Sequence, residues 1–104
     1  KNGVIWAATS DGDLLKINRQ TDEVKSFSLN QKANAPRLQI RQIIYEDELI
    51  WVASSKGVFK FDVSTNKFAL VQSTSGLEVN TFALGEEGTL WLGTMQNGLK
   101  KLAL

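Results

Sequence analysis

The stretch Leu90-Trp91-Leu92-Gly93-Thr94 decides how this chain is read, because two further versions of it are present. Ile5-Trp6-Ala7-Ala8-Thr9 and Ile50-Trp51-Val52-Ala53-Ser54 keep the same order: aliphatic, Trp, aliphatic, small, hydroxyl. The tryptophans of these pentads are the only ones in the chain, and they stand 45 and 40 residues apart. A unit recurring at that spacing marks a repeat architecture, in which each unit covers an apolar face of its neighbour.

The register extends beyond the pentads. A glycine follows each Trp by six or seven residues (Gly12, Gly57, Gly98), and then comes an apolar pair: Leu14 with Ile17, Val58 with Phe61, Leu99 with Leu102. Asn18-Arg19-Gln20-Thr21 lies over Asp62-Val63-Ser64-Thr65, and Asn/Asp and Thr at those offsets bond turn backbone as Asx- and ST-turns do. Val24 to Leu29 alternates apolar and polar, which predicts a half-buried strand. Leu38 to Tyr45 is an isoleucine-rich strand whose adjacent Ile43 and Ile44 suggest a bulge. Loops are expected over 30–37, which holds the only proline, and over 73–76.

No stretch sustains a helical apolar period, and glycine-bearing turns punctuate the chain. It reads as all-β, with about ten short strands, four to each unit of the repeat, the pattern of β-propeller blades. With the strands of a blade labelled A to D from the axis outward, the Trp strand is B. Residues 1–29 then form an incomplete blade (B-C-D), 38–72 a complete one, and 77–104 an incomplete one (A-B-C). That is about two and a half four-stranded blades, where a closed propeller takes about four to eight. The expectation is a fragment of a larger propeller.

Composition excludes several classes of function. With 104 residues, 42% hydrophobic and 22% charged, the chain can bury a core. Twelve basic and eleven acidic residues give a net charge of +1, no electrostatic case for nucleic acid or an anionic membrane. Cys and His are both absent, which removes zinc-type ligand sets, thiol nucleophiles and Ser-His-Asp triads. No cofactor is implied. The absence of Cys leaves the compartment open.

The pentad at Leu90 to Thr94 followed by Asn97-Gly98-Leu99 resembles the two-component regulator propeller repeat, whose core runs Leu-Trp-Ile-Gly-Thr and then Gly-Gly-Leu. Phe61 to Phe68 is similar to that repeat's Tyr-Asp-x-x-Thr-Gly-x-Phe, and Leu77 to Phe82, with Asn80, resembles its Leu-Pro-Ser-Asn-x-Val lead-in. Ala8 and Ala53 depart from the pentad glycine. The resemblance implies a propeller of about seven blades in the periplasmic sensor half of an inner-membrane hybrid histidine kinase. Such regulators detect oligosaccharides and relay to transcriptional control, with no catalysis in the propeller. The partners implied are an oligosaccharide or other small-molecule ligand, the remaining blades of the parent chain, and a second copy of the parent receptor.

Each candidate site has a plainer alternative. The tryptophans could stack on sugars, but their position between aliphatic neighbours favours packing between blades. The clusters Glu46-Asp47-Glu48 and Glu86-Glu87 fall at corresponding A-to-B turns and read as solvated turn charge rather than catalytic carboxylates or a calcium site. A propeller binds where its D-to-A and B-to-C loops gather, which selects Lys32, Asn34, Arg37, Lys56, Gln96 and Asn97 as ligand-binding candidates, with no metal site and no catalytic residue. The alternative function is a short lectin-like carbohydrate-binding module that closes a ring by homo-oligomerisation.

Overall fold

The protein is described by a computed structural model covering residues 3–32, 34, 37–86, 88–95 and 98–103. Its strands are β1 (Val4–Ala8), β2 (Asp13–Asn18), β3 (Val24–Ser28), β4 (Ile40–Glu46), β5 (Leu49–Ser54), β6 (Gly57–Asp62), β7 (Lys67–Leu70), β8 (Val79–Leu84), β9 (Thr89–Thr94) and β10 (Leu99–Ala103). They form three antiparallel sheets in the orders β1-β2-β3, β4-β5-β6-β7 and β8-β9-β10. This is an all-β fold of propeller blades. Trp6, Trp51 and Trp91 lie on β1, β5 and β9, and each stands opposite a lysine of the next strand: Lys16, Lys60 and Lys101. The ammonium groups sit 5.9, 5.6 and 5.3 Å from the ring centroids, so every indole carries a cation on its face.

Pentad alternation distributes the core. Neighbouring residues on a strand face opposite sides of the sheet. Ile50 and Val52 therefore join Leu14, Leu29, Phe59 and Phe61 in a core shared with the first sheet. Trp51 and Ala53 point the other way, into a core with Val79, Phe82, Leu90 and Leu92 of the third. Trp6 does the same a blade earlier, its ring edge-on to Phe61 at 5.6 Å. Trp6 and Trp51 thus pack toward the following blade.

The two outer faces break the pattern. Trp51 is 8% exposed whereas Trp91 is 38% exposed, and Ile5 is 45% exposed where its counterparts Ile50 and Leu90 are fully buried. The expectation of three core tryptophans is corrected: Trp51 is core, Trp6 is half-buried, and Trp91 lies on an open sheet face.

The fifth pentad residue has a single task in all three copies. Thr9 Oγ1 accepts from the Asp13 N–H at 3.2 Å, Ser54 Oγ donates to the Gly57 carbonyl at 2.7 Å, and Thr94 Oγ1 donates to the Gly98 carbonyl at 2.8 Å. The hydroxyl closes the turn to the next strand. The fourth must be small: at Gly93 a Cβ would come within 2.9 Å of Thr81 Cγ2. In the later turns Asn18 Oδ1 accepts the Gln20 and Thr21 N–H groups, and Asp62 Oδ1 accepts that of Ser64, as the aligned Asx positions predict.

Three local expectations are corrected. The bulge lies between Ile40 and Gln42, not at Ile43-Ile44, and β8 has its equivalent between Val79 and Thr81. Residues Leu29–Lys32 form a helical turn, α1, where strand and loop were expected, because β3 ends once the Leu29 N–H bonds the Gly12 carbonyl at 2.9 Å. Gln72, expected as the last residue of the second blade's strand, instead opens a 3₁₀ turn, Gln72–Thr74, that runs into the expected loop.

Candidate functional site

Strand direction places the β1–β2 turn, the β5–β6 turn, the connection through α1 and the connection 71–78 at one end of the blades. The A-to-B turns lie at the other end. Backbone bonds tie the first group together: Ser55 N–H to Gln39 carbonyl at 3.0 Å, Val71 N–H to Val58 carbonyl at 2.8 Å and Met95 N–H to Glu78 carbonyl at 3.0 Å.

The β5–β6 turn is held rigidly. Gly57 has φ +118°, and a Cβ there would meet the Thr74 carbonyl oxygen at 2.8 Å. The buried Thr74 hydroxyl accepts from the Val58 N–H at 2.9 Å and donates to the Val71 carbonyl at 2.6 Å. Ser54 Oγ accepts the Lys56 N–H at 3.1 Å, so the backbone carrying Lys56 is fixed by buried hydroxyls on both sides. At Gly12, φ +94°, the side chain of Asn30 occupies the space a Cβ would need. Asn30 Nδ2 donates to the Asp11 carbonyl, while its Oδ1 is buried without a hydrogen-bond partner.

Two hollows flank α1. The first, about 420 Å³, is walled by Leu29, Phe59, Phe68 and Leu70, with Lys32, Lys56, Ser75 and Gly76 at its edge. The second, about 430 Å³, is polar and lined by Ser10, Asp11, Asn30, Arg37, Leu38 and Gln39. Residues three apart on a helical turn share a face, which is why Leu29 and Lys32 reach the first hollow together.

Of the candidates read from sequence, Lys32 and Lys56 come together in the first hollow and Arg37 lines the second. Asn34 lines neither; it is in the left-handed region at φ +53°, its N–H donating to the Gln31 carbonyl at 3.3 Å. Gln96 and Asn97 lie outside the described residues. Phe59, Phe68 and Leu29 were missed because on alternating strands they read only as core.

No protein-family model and no curated protein matches the chain. Solved structures do. The extracellular domain of a B. thetaiotaomicron protein described as the putative hybrid two component system BT3049 superposes with a TM-score of 0.74 and 24% identity, covering 100% of this chain. That of BT4673, described likewise and from the same organism, gives a TM-score of 0.75 and 18% identity over 99%. The chain has the fold of the segment of those extracellular domains on which it superposes. It spans 13% of the length of each.

Within that propeller fold, the acidic A-to-B turns are remote from both hollows. Asp47 and Glu48 occupy the two central positions of a tight hairpin at φ +53° and +65°, the conformation of a type I′ turn. Among the described residues, the carboxyl held away from its ordinary pKa, Asp62, is also turn chemistry. The Ser64 hydroxyl at 2.6 Å, the Ser64 N–H at 2.9 Å and the Thr65 N–H hold Asp62 below the usual carboxylate range, against a smaller opposing effect of desolvation. Among the described residues no cluster of His, Cys, Asp or Glu is arranged to hold a metal. None of their helices is long and apolar enough to cross a membrane.

Proposed function

We propose that this chain belongs to the periplasmic ligand-sensing propeller of an inner-membrane hybrid two-component regulator, that it detects oligosaccharides, and that it performs no catalysis. The observation that carries the reading is the gathering of Lys32, Lys56 and Arg37 around two hollows at the end where D-to-A and B-to-C connections meet. The shared fold with extracellular domains of hybrid two-component systems supports the sensor role. Calorimetric titration of the chain with a panel of oligosaccharides, with product analysis of the same mixtures, tests it. Saturable binding without turnover is expected; glycan cleavage, or no binding across the panel, contradicts it.

The partners under this reading include further blades of the parent chain. Ile5 and Trp91, on opposite outer faces, are exposed versions of residues buried between blades elsewhere. The same observation favours a second reading, a lectin-like module that closes its ring from several copies. Light scattering separates the two, since only the second predicts a discrete closed oligomer of this chain alone.

A further inference from the structure

We propose that the hollow between α1 and the second blade is a subsite for an acidic sugar, a uronate-bearing oligosaccharide, with its carboxylates held by Lys32 and Lys56. The inference rests on the ligand-sensing reading and assigns the charge class and seat of the ligand.

The lining argues for that occupant. At about 420 Å³ the hollow has the size and mostly apolar wall of a small-molecule site. The half-buried Phe68 offers ring surface to the C–H face of a pyranose, over a floor that includes the buried Phe59, while the Ser75 hydroxyl lines the same hollow for sugar hydroxyls. Charge then selects among sugars. Both lysines at the edge are cationic, and among the described residues no carboxylate lines the hollow and neither ammonium forms an ion pair. Lys16, Lys60 and Lys101, by contrast, lie over indole rings. Two unpaired cations beside an apolar wall are complementary to an anion on a ring-shaped body.

The site is also preorganised. Lys56 stands on a turn whose backbone is locked by Ser54 and Thr74, and Lys32 ends a helical turn anchored by the fully buried Leu29. The second hollow, across α1, contains Asp11, so its charge is mixed and it gives no such preference.

Digalacturonate and its methyl ester test the proposal, because esterification removes the charge and leaves the rings. Calorimetry of the chain should show the acid bound at least about tenfold more tightly than the ester, and weakening as salt rises. Lys32→Gln and Lys56→Gln should each reduce acid affinity several-fold, and Lys→Arg at either position should restore most of it. Circular dichroism of the variants establishes that they fold, which these surface turn positions permit. Equal binding of acid and ester, or acid binding indifferent to both substitutions, overturns the subsite and leaves the sensor reading standing. Binding of phenylacetate in place of the uronate overturns the sugar assignment. Neutral oligosaccharides bound while digalacturonate is not would contradict the charge class alone, and no binding of any saccharide contradicts both readings.

Discussion

Arg41 and Asn80 are each the extra residue of a bulge, in adjacent inner strands of the second and third blades, and the Arg41 guanidinium donates to Asn80 Oδ1 at 2.9 Å. The bulges turn both side chains out of their ladders at the same height. The guanidinium also reaches Glu78 at 3.1 Å, and the next residue, Gln42, accepts from the Thr81 hydroxyl at 2.6 Å and the Phe82 N–H at 2.9 Å. Blades two and three are thus joined by a polar seam beside the apolar core. Arg41→Ala and Asn80→Ala should each destabilise by about 1 kcal/mol, with a coupling of about 0.5 kcal/mol or more between them in a double-mutant cycle. Additive effects by urea unfolding would show that the bond contributes nothing.

The three tryptophans should differ in energetic weight. Trp51→Ala empties a buried position between two blades and should cost about 3–5 kcal/mol. Trp91→Ala, at 38% exposure, should cost well under half as much. Acrylamide quenching of single-Trp variants should find the Trp91 indole accessible and the Trp51 indole protected; equal quenching would overturn the assignment of faces.

At the fourth pentad position, Gly93→Ala forces Thr81 Cγ2 away from 2.9 Å, and a β-branched side chain has little freedom to yield. The substitution should cost about 1–3 kcal/mol. Thr81→Ser removes that methyl while keeping the hydroxyl bonded to Gln42, so the double variant should recover most of the loss. Failure to recover would mean the strain lies in the backbone.

Thr74→Val tests the locked turn beside the proposed subsite. It leaves the Val58 N–H buried and unpaired, for a loss of about 1–3 kcal/mol. Hydrogen exchange at Val58 should accelerate by the corresponding factor, and unchanged protection would show that the hydroxyl is not the partner that matters.

The Asp62 turn predicts a pH dependence of known sign. Because the folded-state pKa lies below the ordinary 3.8, the carboxylate stabilises the fold above the unfolded-state value. That contribution is lost as pH falls through the folded value. Asp62→Asn should therefore flatten stability against pH on the acid side, and a parallel pH profile in the two proteins would rule Asp62 out as the cause.

Much of this was legible in the sequence. Glycines six or seven residues after each Trp located the turns, and Gly12, Gly57 and Gly98 all adopt positive φ. The Asx positions Asn18 and Asp62 were visible because their bonds are local. Features that depend on a neighbouring blade were not visible. The isoleucine run of β4 suggested a bulge at Ile43-Ile44, but its seat at Arg41 depends on the bulge at Asn80, which it meets across a sheet boundary. Trp91 has the same local sequence pattern as Trp51, yet only a neighbour decides whether it is buried. The lysines at 32 and 56 were selected as loop charges, whereas their aromatic wall was hidden among residues that alternate like any core strand.

The central claim, that ligand is received at the end of the blades holding α1 and the β5–β6 turn, is tested most directly by amide chemical-shift mapping. The isotopically labelled chain would be titrated with the oligosaccharides it binds. Perturbations are expected to cluster at Leu29–Lys32, Ser55 to Gly57 and Gln72 to Gly76, with the A-to-B turns at Asp47-Glu48 and Gly85-Glu86 silent. Perturbations centred on those acidic turns, or spread over the open face around Trp91, would contradict the claim.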